Sequence, residues 1–214
     1  MMRLEHQTLN DRTYDAIKQG LISGQFKPGE ILVIRKLAEG FGISTTPIRE
    51  ALQRLVAERI LEIRHNRSIA VPLLSAAGFQ ELVQIRCAVE GLAGQLATAK
   101  IGEPQLQALL QSIDGMDEAI NRGDSRRYLA LNEEFHFAIY RQSEAPILLG
   151  YIRDLWGRVG PYMNYLLEIA SYIPQSNLHH QQIYAAIKKH NETAVRELIV
   201  TDIADAAIAI APFI

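Results

Sequence analysis

Across residues 34–60, IRKLAEGFGISTTPIREALQRLVAERI, helical apolar spacing is broken at one place, by Gly42. Leu37, Ala38 and Phe41 form a short amphipathic stripe that stops at this glycine, and Ile43 follows it. After a tight turn, Ser44-Thr45-Thr46-Pro47 opens a second helix whose apolar residues are Ile48, Ala51, Leu52, Leu55 and Val56. A hydroxyl ahead of a proline suits a helix start: the oxygen caps free N–H groups, and Pro47 fits the first helical position. Two helices joined by a glycine turn form a helix-turn-helix. The second presents Thr45, Thr46, Arg49, Gln53 and Arg54 outward, residue types that contact phosphates and base edges. A plain helical hairpin with a solvated basic face is the competing reading.

The flanks extend this unit. Asp11 is placed to cap a helix over about 12–23 with Tyr14, Ile17, Leu21 and Ile22 inward, ending at Gly24. Phe26-Lys27-Pro28-Gly29 is a turn leading to a short extended piece. Ile60–Arg64 alternates like a strand, His65-Asn66-Arg67-Ser68 turns, and Ile69-Ala70-Val71 returns before Pro72. A hairpin after a recognition helix is a wing, and Arg64, His65 and Arg67 sit at its tip; a merely solvated turn is the alternative.

Residues 1–74 carry 11 Lys/Arg against 8 Asp/Glu, and residues 75–214 carry 11 against 16. A basic front and an acidic back suit a nucleic-acid reader joined to a second module. The boundary is expected at Leu74, giving domains 1–74 and 75–214. The second half shows only helical periodicity, near 75–99, 103–121, 124–142, 145–170, 174–190 and 192–211, with a kink or break near Pro161. The fold class is therefore mainly α: a winged helix-turn-helix followed by an antiparallel bundle of about six helices. The lone Cys87 lies in an apolar stretch and reads as a small buried hydrophobe. With no apolar leader and no run near the roughly 18 residues of a spanning helix, the expectation is a cytoplasmic protein without a membrane partner.

Asn132 and His136 are four residues apart, so both lie on one helix face beside Leu131, Phe135 and Ile139. His180 opens the stripe Ile183, Tyr184, Ile187, and Asp202 lies among Leu198, Ile199, Ile203 and Ala206. An acid in that setting is costly to bury without a partner. These four groups could converge on one divalent cation, with zinc, nickel or manganese suiting the donors; four unrelated polar residues is the alternative. Arg86, one turn before Glu90, offers a fork for a carboxylate ligand, or else a simple intrahelical pair. Arg158 and Tyr162, with Asn164 and Tyr165, could line the same cavity or an interface.

Taken together, Phe26–Gly29, Leu37-Ala38, Gly42-Ile43-Ser44, Thr46–Leu52 and Arg54-Leu55 resemble the GntR family of transcriptional regulators, in its FadR-like subgroup. Arg86/Glu90, Asn132-x-x-Phe135-His136 and His180-x-x-Ile183 resemble its all-helical FCD domain. The resemblance implies a homodimer on a palindromic operator in double-stranded DNA. It makes Arg35, Thr46, Arg49 and the wing residues His65, Asn66 and Arg67 DNA contacts, beside Ser44 and Thr45 at the start of the recognition helix. It also implies a small carboxylate effector held by a metal and an arginine, which Arg86 could supply; Arg158 and Tyr162, as possible cavity residues, are the other effector candidates. Two departures stand out in the front half: Thr45 replaces a base-reading arginine, and Ser68 replaces the wing-tip glycine. In the bundle, Asn132 stands where the family has aspartate and Asp202 where it has histidine. A ligand-responsive, non-enzymatic regulator is the first expectation; a metal-dependent enzyme with a vestigial winged helix is the second.

Overall fold

A computed structural model describes residues 8–169 and 172–214. Its described residues divide into two compact units, one of residues 8–73 with 156–161, the other of residues 74–155 with 162–169 and 172–214. No helix among the described residues is long and apolar enough to cross a membrane.

The first unit contains α1 (Leu9–Ile22), α2 (Ile34–Phe41), α3 (Thr45–Ala57) and a two-stranded wing, β1 (Glu62–Ile63) and β2 (Ile69–Ala70). Its core gathers Tyr14, Ile17 and Leu21 with Ala38, Ile48, Leu52, Leu55, Ile60 and Val71. α1 starts earlier than the spacing suggests. Thr8 is its N-cap and Asp11 the reciprocal partner, the two closing a capping box. Gly42 ends α2 at φ 66°, a left-handed conformation that suits glycine. Ser44 is the N-cap of α3 but makes no side-chain capping bond, and Pro47 sits at the third helical position instead of the first. That place costs no hydrogen bond either, since the first four N–H groups of a helix have no partner within it.

The wing is antiparallel, pairing Glu62 with Ala70 and Ile63 with Ile69. The Leu32 N–H donates to the Ile69 carbonyl and the Val71 N–H to the Glu30 carbonyl, so the piece after Gly29 lies along the open edge of β2. Ser68 does not need to be glycine. The left-handed residue of this turn is Arg67, at φ 61°. The Asn66 side-chain oxygen accepts from both the backbone N–H and the hydroxyl of Ser68, and that bond closes the turn.

The second unit is built from α4 (Ala76–Thr98), α5 (Glu103–Arg122), α6 (Ser125–Arg141), α8 (Tyr172–Lys188) and α9 (Glu192–Ile210); α7 (Pro146–Met163) contributes residues to both units. α7 gives way to a 3-10 turn over Asn164–Glu168, just past Pro161. In this unit α4 packs on α9 and α6, and α5 packs on α6 and α8. α8 packs on α9 after a three-residue link, which makes them antiparallel neighbours. Close approach of α4 to α9 depends on Gly94, where an added Cβ would fall 2.2 Å from Ile199 Cδ1.

Candidate functional site

On the winged helix, Arg35, Ser44, Thr45, Thr46, Arg49, His65, Asn66 and Arg67 are all exposed. Four of them meet around one groove of about 540 Å³: Arg35 from the first turn of α2, Thr45 and Arg49 from the start of α3, and Arg67 from the wing. Thr45 therefore lines a groove together with three arginines.

Arg54 does not join this face. Its guanidinium stacks 3.7 Å from the Tyr14 ring centroid and pairs with Glu58 at 3.2 Å. It is exposed, as helical spacing implies, but an aromatic ring on α1 takes its guanidinium. Glu58 also accepts from Tyr14 Oη and from the buried Lys18 ammonium. Burial raises its pKa, but the bonds from Tyr14, Lys18 and Arg54 outweigh that and hold it below the usual carboxylate value. Arg158 belongs to this unit, where its Nη2 donates to the Glu58 carbonyl at 2.9 Å, the C-cap of α3.

In the helical unit, His136 of α6, His180 of α8 and Asp202 of α9 are all buried, and each offers a ligand atom within 4.8 Å of the others. Asn132 is buried one turn before His136 on the same face. His136 Nε2 stands 3.2 Å from Asp202 Oδ2.

The surrounding bonds set which imidazole nitrogens face this centre. Asn177 Nδ2 lies 2.6 Å from Asp117 Oδ1 and 3.4 Å from the Ile113 carbonyl, both acceptors, so its amide orientation is fixed. Its Oδ1 then faces His180 Nδ1 at 3.1 Å, and that nitrogen must carry the proton. His180 Nε2 is left with a lone pair, fully buried and without a hydrogen-bond partner. Burial pushes the His180 pKa down to about 3, so the ring is neutral at pH 7.

A second chain of bonds reaches His136. Arg86 grips Glu90 through Nε and Nη2, at 2.6 and 3.3 Å, with both side chains buried. Tyr140 Oη donates to Glu90 Oε2 at 2.9 Å, and burial holds its phenol well above the ordinary range, so it keeps its proton. That one proton being committed, the Tyr140 oxygen accepts from His136 Nδ1 at 3.1 Å. His136 Nε2 thus faces Asp202 with either a proton or a cation between them. Burial works to raise the Asp202 pKa, but the His136 and His179 imidazoles beside it prevail and hold it below its ordinary value.

The outcome for the sequence candidates is mixed. His136, His180 and Asp202 converge. Arg86 is engaged by Glu90 within its own helix, buried where an exposed pair was the alternative. Tyr162 Oη accepts from the Leu74 N–H at 2.7 Å, and neither it nor Arg158 meets the cluster in any bond described above. His179 was missed. Its Nδ1 stands 3.5 Å from Asp202 Oδ1 and its Nε2 3.3 Å from Asp205 Oδ2. Asp205 on the stretch after Asp202 was the signal, an i, i+3 carboxylate pair on one helix face. His179, Asp205, Tyr172 and Ser176 also line a cavity of about 430 Å³ with Ile169, Ile208 and Pro212.

Comparison with known proteins agrees with both halves. Residues 9–71 match the model for bacterial regulatory proteins of the gntR family, and residues 81–205 match the FCD domain. The HTH-type transcriptional regulator McbR of Escherichia coli (strain K12) is 34% identical over 166 residues, 78% of this chain and 75% of that one. A probable D-xylose utilization operon transcriptional repressor of Paenarthrobacter nicotinovorans is 31% identical over 169 residues, 79% of this chain and 73% of that one. The solved structure of E. coli McbR/YncC superposes with a TM-score of 0.89 at 29% identity, covering 97% of this chain and 99% of that one. With a gntR winged helix in front and an FCD domain behind, the chain belongs to the gntR family of bacterial regulatory proteins and is a DNA-binding transcription regulator, not an enzyme.

Proposed function

We propose that this regulator binds a palindromic operator as a homodimer and responds to a small organic acid through a divalent cation held in its FCD domain. Arg35, Arg49 and Arg67 would hold phosphates or base edges, with Ser44, Thr45, Thr46, His65 and Asn66 beside them. Arg paired to guanine is the commonest specific base contact, so Thr45 selects a different base at its position. A second copy would cover Ile85, Leu92 and Leu96, exposed along one face of α4.

The observation that carries the cation reading is the lone pair of His180 Nε2, buried, unpartnered and within reach of His136 and the Asp202 carboxylate. Two imidazoles and one carboxylate suit zinc, nickel or manganese. The chain's own bonds from Asn177 and Tyr140 orient the two rings, as outer partners do in cation sites. When bound, the cation would supply a Lewis-acidic anchor for an acid group of the effector. The cavity beside His179, with apolar Ile169, Ile208 and Pro212, supports a place for the rest of that molecule. Arg86, held by Glu90, is better read as part of this framework than as the effector's clamp.

Metal analysis of freshly purified protein tests the reading. About one equivalent of zinc, nickel or manganese per chain is expected, lost in His180→Ala. At 100-fold excess over its Kd, the cation should stabilise the wild type by roughly 2.7 kcal/mol. Metal-free wild type that shows no thermal shift with any of the three ions would sink the cation reading and leave the DNA-binding assignment intact.

A further inference from the structure

We propose that His179, braced by Asp205, is a positioning residue that holds Asp202 with a single carboxylate oxygen toward the cation. This rests on the reading of His136, His180 and Asp202 as a cation site. The two oxygens of Asp202 have different neighbours. Oδ2 faces His136 Nε2 at 3.2 Å. Oδ1 faces His179 Nδ1 at 3.5 Å and accepts from Ser176 Oγ at 3.4 Å.

A carboxylate on an unrestrained side chain turns easily, because the terminal torsion of Asp is broad. Here a hydrogen bond from Ser176 Oγ and the ion-pair contact of His179, both from α8, fall on Oδ1, which leaves Oδ2 for the cation and makes the carboxylate a one-oxygen ligand. His179 is itself held from behind. Its Nε2 meets Asp205 Oδ2 at 3.3 Å, and its side chain is only 13% exposed. Asp202 and Asp205 are three residues apart on α9, so one helix face presents both carboxylates to the same ring. The result is a carboxylate–imidazole–carboxylate row of ion pairs ending on the oxygen of Asp202 that faces away from the cation.

This arrangement has a consequence for selectivity. Two imidazoles and one carboxylate oxygen favour small, nitrogen-preferring divalent cations such as zinc or nickel over calcium, which takes six to eight oxygens. It also has a consequence for sensing, because His179 forms part of the wall of the 430 Å³ cavity. His179 and Ser176 line that cavity while His136, His180 and Asp202 do not, so a molecule there touches the two groups that hold Asp202 Oδ1.

Chelator-competition titration with zinc alone, on the full chain at one pH, tests the proposal in wild type, His179→Ala, His179→Asn and Asp205→Ala. His179→Ala is expected to bind zinc about ten- to a hundredfold more weakly, the effect usual for partners of a ligand. Asp205→Ala should fall between it and wild type. His179→Asn should recover most of the loss, because an amide nitrogen near the Nδ1 position stays beside Oδ1 and can donate to it. Thermal melts of the zinc-free proteins separate this from a folding defect, since rescue by Asn tracks zinc affinity and not the melting temperature. Unchanged affinity in His179→Ala, or Asn no better than Ala, overturns the proposal and leaves the cation site standing. Wild type that binds no zinc overturns both.

Discussion

Replacing Arg86 by Met should destabilise the protein far more than a surface substitution would. Arg86 and Glu90 are almost wholly buried, and two bonds at 2.6 and 3.3 Å join them. Charge-assisted bonds contribute roughly 1.5–3 kcal/mol each. Methionine matches the length of the stem but leaves the Glu90 carboxylate without its cation in a site with no water exposure. Losing one partner of such a buried pair costs about 3–5 kcal/mol. For a chain of this size that corresponds to a fall in melting temperature on the order of 10 °C. The double variant Arg86→Met/Glu90→Leu removes both charges and should recover most of the loss, to within about 1–2 kcal/mol of wild type. The remainder is the cost of leaving Tyr140 Oη without its acceptor. Urea unfolding of the four proteins of the cycle, zinc-free, gives the coupling energy directly. A single variant within 1 kcal/mol of wild type would refute the argument. It would favour Arg86 as an effector clamp, whose loss weakens effector binding without touching stability.

Two further outcomes follow from the charges. Asp202 titrates below its ordinary value of 3.8, so its contribution to stability is complete above about pH 4 and is lost as pH falls through the folded-state value. Urea midpoints from pH 7 to 3 should decline, and Asp202→Asn should flatten part of that decline; an unchanged slope would contradict the cause assigned here. Arg49→Ala should weaken specific DNA binding by about 1–3 kcal/mol and relax base preference, read by anisotropy at two salt concentrations. Unaltered preference would place Arg49 on phosphate alone.

Much of this architecture can be read from periodicity and punctuation. Gly42 stops α2 and Gly123 stops α5 because each adopts positive φ, which a glycine marks in the sequence itself. Helix starts are less legible. Thr8 and Asp11 are the two ends of one capping box, and a single chain does not say which is the cap when Thr-x-x-Asp allows either reading. The turn of the wing is similar, since its positive φ falls on Arg67, an arginine whose sequence carries no sign of it.

Among the site residues, His136, His180 and Asp202 were legible because each interrupts an apolar stripe. Helical periodicity says which residues point inward but not what they meet. Arg86 and Arg158 were read as cavity groups, yet Glu90 and the Glu58 carbonyl receive their donors. Arg54 is exposed as its spacing implies, yet the ring it stacks on comes from another helix, which periodicity does not reveal. His179 was missed because it adjoins His180, and neighbours in a helix point about 100° apart. Only the approach of α9 brings Asp202 and Asp205 to it.

The central claim is that one protein joins a DNA reader to a cation-dependent sensor. Its most direct test is binding to DNA from upstream of its own gene, titrated with zinc-loaded protein and again after EDTA treatment. The account predicts tight, sequence-selective binding that weakens steeply with salt and shifts at least severalfold when the cation is removed. Selective binding that is identical with and without the cation would contradict it, leaving a regulator whose His136, His180 and Asp202 serve only the fold.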